Sequence, residues 1–167
     1  MDTLNSRPKL DIIGSTEFVE IAGIKKIPAK IDTGADSSAI WASSINMQED
    51  GTLVFCLFDE KSPLYTGEKL KTTDYKVKGV RSSHGDKQLR YRVTLPLKLG
   101  SKTFETTFTL ANRSRNCFPV LIGRRTLEGK FLVNVAEASA PRKPGDYSKL
   151  NRELRENPYK FHQKYFK

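Results

Sequence analysis

The 167-residue sequence predicts an all-β fold, a closed β-barrel with one short helix, followed by a basic C-terminal tail. Two observations support this fold class. Short segments rich in β-branched and aromatic residues alternate polar and apolar side chains with the period of two that strands require. Gly, Pro and Ser separate these segments, and helical periodicity is rare in the body of the chain.

The body of the chain divides into short predicted strands. The segment Thr103–Leu110 alternates well. One face carries Phe104, Thr106, Phe108 and Leu110, and the other carries Thr103, Glu105, Thr107 and Thr109. A short helix is predicted at Arg124–Glu128, where Gly129 ends it. The predicted strands are Leu10–Gly14, Glu17–Ile21, Ile27–Asp32, Thr52–Phe58, Thr73–Arg81, Leu89–Leu99, Thr103–Leu110 and Phe131–Val135.

The character of the sequence changes after the last predicted strand. A breaker cluster, Pro-Arg-Lys-Pro-Gly, precedes a basic and aromatic segment. Leu150 and Leu154 have helical i, i+4 spacing, but Pro158 is expected to interrupt any helix. We therefore predict one domain over residues 1–140 and a tail over residues 141–167 that packs on the body or on a partner.

Lysine and arginine outnumber aspartate and glutamate by 29 to 19, which gives a formal net charge of +10. Such a field attracts nucleic acids, acidic peptides and anionic surfaces. The sequence contains no run of about 18 apolar residues, so no membrane-spanning helix is predicted. Because the first residues lack the apolar core of a signal peptide, we expect a cytoplasmic protein, or a periplasmic one if a leader was removed.

The cysteines and histidines do not predict a metal site. Cys56 and Cys117 are too few for a disulfide framework, and we expect two buried free thiols, with a single bridge as the alternative. His84 and His162 are far apart, and neither Cys-x-x-Cys nor His-Glu-x-x-His occurs. The sequence therefore predicts no metal and no cofactor.

The segment Ile31–Asp36, Ile-Asp-Thr-Gly-Ala-Asp, places a carboxylate, a hydroxyl and a glycine at the end of an apolar strand. In aspartic peptidases two facing carboxylates share one proton: the ionised one activates water and the protonated one polarises the scissile carbonyl. Gly34 permits close backbone approach, and the Thr33 hydroxyl can bond to the opposite loop. The triplet occurs once, so Asp32 supplies half of such a site. An isolated Asp-Thr-Gly is also a good turn.

A second segment favours the catalytic interpretation. Val120–Arg124, Val-Leu-Ile-Gly-Arg, is an apolar strand that runs into a glycine and then into the predicted helix. With Ile31–Asp36 and the following Ser37–Ile40, it resembles the paired motifs of a retropepsin. The surrounding sequence resembles one branch, the RimB-like family, over residues 10–136. The matching phrases are Ile13-Gly14, Glu17–Val19, Ala29–Ala35, Ser38-Ala39, Val80–Ser82, Arg90-Tyr91, Asn112–Ser114, Phe118–Arg124 and Phe131–Asn134.

This resemblance implies an aspartic-type peptidase that acts as a homodimer, in which Asp32 meets its symmetry mate. The resemblance also implies that Thr33, Gly34 and Ala35 support the catalytic loop. The older family label of an ATP-dependent zinc protease finds no support, because the chain has neither a Gly-x-x-x-x-Gly-Lys-Ser/Thr loop nor a zinc ligand cluster.

The resemblance also implies an ion pair beside the catalytic loop. In retropepsins the arginine after the second-motif glycine pairs with the aspartate two residues beyond the catalytic loop's glycine. These positions correspond to Gly123, Arg124 and Asp36 in this chain. We expect this pair to brace the loop without taking part in the chemistry.

A hairpin flap over the cleft is a further implication. The candidate runs from Arg81 to Arg90, with Ser83, His84 and Gly85 at a turn-rich tip, and these five residues are candidates for substrate contact. Strand cations usually face water and deter edge-to-edge pairing, which is the alternative interpretation. The cations on or near the flap are Lys78, Arg81, Lys87, Arg90 and Arg92.

The sequence departs from the RimB-like pattern at several positions. Asp36 stands where many members carry a basic residue, so this position is closer to retropepsins proper. Asn112 and Asn134 each replace a frequent aspartate, and Cys117 replaces a common methionine. These differences bear on the substrate more than on Asp32.

The resemblance implies an acidic substrate, since RimB-like proteins are associated with trimming glutamate tails added to a small-subunit ribosomal protein. The charge of +10 suits such a peptide. One alternative is a non-catalytic basic β-barrel that binds RNA or the ribosome, with tail aromatics stacked on bases. Another is an inactive dimerisation module. The joint occurrence of the two motifs favours the peptidase.

Overall fold

The computed structural model describes residues 9–81, 87–141 and 146–166. Strands dominate the described part of the chain, and three short helices accompany them. The strands are β1 (Asp11–Gly14), β2 (Thr16–Ile21), β3 (Ile24–Asp32), β4 (Ser38–Met47), β5 (Leu53–Leu57), β6 (Leu70–Thr72), β7 (Tyr75–Arg81), β8 (Lys87–Leu99), β9 (Lys102–Ala111), β10 (Val120–Gly123) and β11 (Phe131–Asn134). The helices are α1 (Arg124–Leu127), α2 (Ser148–Glu156) and α3 (Pro158–Tyr165).

Six strands close into a barrel in the order β10, β3, β2, β8, β9 and β4, because β4 pairs back with β10. Closure leaves these strands without an open edge. The C-terminal half of β4 pairs with β5, which pairs with β6, and β7 pairs with the N-terminal half of β8 as a hairpin. β1 and β11 form a separate parallel pair. The predicted all-β barrel is therefore confirmed.

The barrel interior is filled by the apolar side chains of alternating strand positions. On β8 the buried residues Val93, Leu95, Leu97 and Leu99 alternate with exposed Thr94, Pro96 and Lys98. The alternation predicted for Thr103–Leu110 holds as far as Thr107. It ends at Thr109, which is buried because β9 lies there between Arg92 of β8 and Ala39 of β4.

The prediction of a single helix is wrong, because the tail forms two more. Pro158 does end α2, but it also begins α3 in the first turn. A backbone N–H at that position makes no hydrogen bond within the helix, so proline costs nothing by lacking one. The Asn157 side chain caps α3 by accepting a hydrogen bond from Lys160 N at 2.9 Å. α1 agrees with the predicted Arg124–Glu128 to within one residue.

Sequence periodicity missed β4 and the three-residue β6. The first residues of β4, Ser38 to Ser44, are mostly small, and its pairing with β5 is irregular between Ser43 and Asn46. β4 forms because β9, β10 and β5 supply its partners. The prediction of two buried thiols is also corrected: both cysteines are free, but only Cys56 is buried, while Cys117 is exposed in the loop before β10.

The two tail helices pack on each other. Glu153 of α2 accepts hydrogen bonds from Lys164 Nζ at 3.1 Å and from the Tyr165 hydroxyl at 3.0 Å, and the Phe161 and Tyr165 rings lie 4.7 Å apart. Among the described residues, no helix has the length and apolar character needed to cross a membrane. The predicted division of the chain near residue 140 stays a prediction.

Candidate active site

Asp32 is the last residue of β3, and its side chain is half-buried at the end of the strand. The backbone turns sharply after it, because Ala35 N donates to Asp32 O at 3.2 Å. Within this turn Gly34 N donates to Asp32 Oδ1 at 3.1 Å, which fixes the direction of the carboxylate. Thr33 and Gly34 are exposed beside it. The turn therefore presents the Asp32 carboxylate at an open surface.

β10 supports this turn from the side. It lies parallel to β3, with Gly123 in register with Asp32, and antiparallel to β4, with Leu121 opposite Ala39. A Cβ atom at Gly123 would lie 2.6 Å from the Ser37 carbonyl carbon and 2.8 Å from Ala35 O. Only glycine permits this approach, so the backbone of residues 33–37 packs directly against Gly123.

Arg124 holds the same turn through backbone and side chain. Its N–H donates to Ala35 O at 2.8 Å, and its Nε donates to Asp36 Oδ1 at 2.9 Å. The predicted contact between Arg124 and Asp36 is thus present. Both side chains are more than half exposed, at 62% and 54%, so the ion pair adds at most about 1 kcal/mol. Its bracing role stays a prediction.

A buried hydroxyl network behind the turn was missed by sequence reasoning. Ser38 Oγ accepts from Gly123 N at 3.1 Å and lies 2.7 Å from Thr126 Oγ1, which lies 3.0 Å from Thr106 Oγ1. Ser38 and Thr126 are 1% and 3% exposed. Three elements, β4, α1 and β9, are thereby joined behind the turn of residues 32–37, which we call the catalytic turn after the role predicted for Asp32. The residues next to these hydroxyls in sequence are largely polar, so no local pattern predicts the network.

β7 and β8 pair as a hairpin that contains the described ends of the predicted flap segment, and its role as a flap stays a prediction. Its register runs from Tyr75 opposite Val93 to Arg81 opposite Lys87. The predicted tip residues Ser83, His84 and Gly85 lie outside the described residues, as does the side chain of Arg81. Arg90 is half-buried on β8, and its Nε and Nη2 both donate to Gln88 Oε1, at 3.1 and 2.9 Å.

Lys78 joins this hairpin to the catalytic turn. Its Nζ donates to Ser37 Oγ at 2.6 Å, and Ser37 follows Asp36 on the segment that Gly123 supports. Lys78 lies opposite Arg90 in the ladder, so both project from the same side of the hairpin. The sequence could not decide which side of the hairpin faces the turn, and this contact decides it.

An open groove lies on the other side of the turn. It has a volume of about 460 Å³ and reaches Thr33 and Arg124 at one end. Ile12 and Leu132, opposite each other in the β1–β11 pair, are 66% and 54% exposed. An apolar surface therefore adjoins the catalytic turn. The remaining lining residues are Leu127, Glu128, Phe131, Leu132 and Val133.

Across the described ranges no cluster of three or more His, Cys, Asp or Glu side chains is placed to hold a metal ion.

The chain matches known proteins in sequence and in structure. It is 29% identical over 143 residues to a probable alpha-L-glutamate ligase of Shewanella pealeana, and the match covers 81% of this chain and 31% of that protein. A protein with the same description from Shewanella halifaxensis is 30% identical over 135 residues, 76% of this chain and 29% of that protein. The chain therefore spans about a third of the length of these curated relatives.

A crystal structure of a Legionella pneumophila protein of unknown function has the same fold. The two superpose with a TM-score of 0.56 at 25% identity, and the match covers 78% of this chain and 97% of that one. The family described as retropepsin-like aspartic endopeptidase RimB matches residues 12–144. That match spans the whole barrel and both segments that build the turn around Asp32. The chain therefore belongs to the RimB-like family of retropepsin-like aspartic endopeptidases.

Proposed function

We propose that this protein is an aspartic-type peptidase that works as a homodimer, with one Asp32 from each chain. The observation that carries the proposal is the fixed turn around Asp32. Its carboxylate is oriented by Gly34 N, and the turn rests on Gly123 and is held by Arg124. A rigid and partly exposed carboxylate at a strand end suits a dyad with a second carboxylate.

The second carboxylate would come from another copy of the chain. Asp36, the nearest acidic residue in sequence, is paired with Arg124 at 2.9 Å and serves the turn. A two-fold interface would bring two equivalent Asp32 side chains together. The groove beside Thr33 and the exposed Ile12 and Leu132 offer an apolar surface next to that axis.

In such a dyad the two Asp32 carboxylates share one proton, because like charges at close range cannot both ionise. The ionised carboxylate takes a proton from water, whose oxygen then bonds to the scissile carbonyl carbon. The protonated carboxylate gives its proton to the carbonyl oxygen. When the tetrahedral intermediate collapses, the C–N bond breaks and a proton passes to the leaving nitrogen.

We further propose that the substrate is an acidic, glutamate-rich peptide. The net charge of +10 favours association with polyanions. Lys78 and Arg90 lie on the side of the hairpin that contacts the catalytic turn. The relatives described as probable alpha-L-glutamate ligases carry the shared region as part of one longer chain. A ligase of that description would make a product rich in glutamate, and such a product is a fitting substrate for a peptidase.

The test combines cleavage with self-association. Wild-type protein is incubated with a mixed peptide library that includes oligo-glutamate, at acidic and neutral pH, and products are identified by mass spectrometry. Asp32→Asn should abolish cleavage and leave the dimer intact in sedimentation. Asp50→Asn, a carboxylate in the β4–β5 turn, is the matched control and should cleave normally. Cleavage by Asp32→Asn at the wild-type rate, or a monomer throughout the assay range, would refute the proposal.

The tail supports a second candidate, binding of RNA. Tyr147, Tyr159 and Phe166 are 63%, 76% and 66% exposed on or beside helices that also carry several cations. Exposed aromatic rings can stack on unpaired bases, and lysine and arginine attract phosphates. Salt-sensitive RNA binding without any peptide cleavage would favour this candidate over the peptidase.

A further inference from the structure

Four cations form a row on one side of the β7–β8 hairpin. The ladder pairs Lys76 with Arg92 and Lys78 with Arg90. Directly opposite residues project to the same side, and so do residues two apart on a strand. Lys76, Lys78, Arg90 and Arg92 therefore share one side of the hairpin, and we call them the basic row.

The inner end of the basic row meets the catalytic turn. Lys78 Nζ lies 2.6 Å from Ser37 Oγ, and Ser37 packs against Gly123, which is in register with Asp32. The row thus starts beside the carboxylate that we propose as catalytic. It extends away from it toward Lys76 and Arg92.

The row concentrates positive charge that nearby carboxylates do not neutralise. Among the described residues, no Asp or Glu oxygen lies within 4.0 Å of any of its four cations. Burial, and after it the positive charge of Arg90, lower the pKa of a fifth cation, Arg113. Like charges held together are unfavourable unless an anion joins them. The row is therefore suited to binding anions.

The outer end of the row contains an unsatisfied donor. Arg92 Nη2 donates to Thr107 Oγ1 at 3.1 Å, but its Nε is buried without a partner among the described residues. Arg92 and Lys76 line a pocket of about 150 Å³, which Asp74 also lines from more than 4.0 Å away from either cation. Lys76 and Arg92 are the cations at this pocket, and an anion held there would be attracted to both.

The geometry of the row fits an extended peptide. Residues two apart on a strand are about 6.6 Å apart, and the same spacing separates alternate side chains of an extended ligand. In the described part of the chain β7 pairs with β8 alone, so its other edge can accept a peptide strand. On such a strand, every second side chain would project to the side of the basic row.

Resting on the proposed peptidase function, we propose that the basic row selects carboxylates at alternate positions of an extended acidic peptide. Lys78 with Arg90 binds the carboxylate nearer the catalytic turn. Lys76 with Arg92 binds the carboxylate two residues further along. The intervening side chains project to the opposite side and carry no requirement for charge.

The test measures peptide binding to the Asp32→Asn protein by fluorescence anisotropy at low salt. Labelled peptides of equal length carry Glu at every position, Glu alternating with Gln in either phase, or Gln throughout. We expect one alternating phase to bind nearly as tightly as the all-Glu peptide and about tenfold more tightly than the all-Gln peptide. If both alternating peptides bind like the all-Gln peptide, alternate recognition is wrong.

Charge-removing variants then locate the site. Lys78→Gln and Arg92→Gln should each weaken binding of the all-Glu peptide about tenfold. Arg92→Lys, which keeps the charge but loses the planar guanidinium, should also weaken it. Lys98→Gln removes the same charge from the far end of β8 and should change little. An equal loss in Lys98→Gln, or stronger competition by oligouridylate than by unlabelled oligo-glutamate, would overturn the proposal.

A cleavage assay with the wild-type protein separates this proposal from the peptidase itself. If the row variants lose binding but the wild type cleaves no peptide, the peptidase function fails and the basic row stands. If the wild type cleaves peptides through Asp32 regardless of where their glutamates lie, the basic row fails and the peptidase stands.

Discussion

Gly123 and Ser37 are in such close backbone contact that a Cβ atom at Gly123 would lie 2.6 Å from the Ser37 carbonyl carbon and 2.7 Å from its oxygen. The two residues are distant in sequence: Ser37 lies in the turn after Asp32, and Gly123 ends β10. Their contact sets the height of the turn above β10, and Asp32 is carried on that turn. The position of the carboxylate therefore depends on a glycine in another strand.

Replacing Gly123 by alanine should displace this turn. Because the clash is with backbone atoms, we expect Gly123→Ala to lower stability by about 1–3 kcal/mol and to abolish peptide cleavage. Thermal unfolding and the peptide library assay measure the two effects. Gly79→Ala is the control for stability, because a Cβ at Gly79 would meet no atom within 4 Å. A Gly123→Ala protein with wild-type stability would contradict this packing.

The buried hydroxyl network should stabilise the same region. Thr126→Val keeps the shape of the side chain but removes the hydroxyl that lies 2.7 Å from Ser38 Oγ and 3.0 Å from Thr106 Oγ1. We expect a loss of about 1–3 kcal/mol in the free energy of unfolding, measured by urea denaturation. The exposed Thr103→Val on β9 should be nearly neutral. Equal effects of the two substitutions would argue against the network.

Asp11 should make stability depend on pH. Its pKa is lowered, first by the hydrogen bond from the Ser101 hydroxyl and then by the bond from Ser101 N. Because the folded-state pKa lies below the unfolded one, the stabilisation is present above the unfolded pKa and is lost as pH falls through the folded pKa. Asp11→Asn should therefore lower the melting temperature at pH 7, and the difference should vanish in strong acid. A difference independent of pH would contradict this.

The tail should be dispensable for the barrel if it is cut at the right place. Ala140 is 1% exposed, its carbonyl accepts a hydrogen bond from the buried Thr16 hydroxyl at 2.5 Å, and Ser139 N donates to Thr16 O at 2.9 Å. A chain ending at Pro141 should keep the wild-type melting temperature to within a few degrees. A chain ending at Val135 should melt clearly lower. If the chain ending at Pro141 unfolds, the predicted boundary near residue 140 is wrong.

Local periodicity was sufficient for much of the barrel. β8 and β9 were predicted because their alternation of apolar and polar residues reflects one buried face. β4 was missed since its first residues are small and its partners are distant strands. The second tail helix was missed because Pro158, taken only as a breaker, also suits a first turn, where Asn157 caps it. Both errors arise where context overrides the preference of a single residue.

The sequence by itself determined most of the strands, the positive charge and the two motifs that contain Asp32 and Gly123. Tertiary structure alone decided that β10 lies between β3 and β4, that hydroxyls of β4, α1 and β9 meet behind the turn, and that the Lys78 side of the hairpin faces Ser37. The physical reason is the separation along the chain of the residues that interact. Alternation and turn chemistry act between near neighbours, whereas these contacts join residues far apart in the chain, and closure of the barrel brings them together.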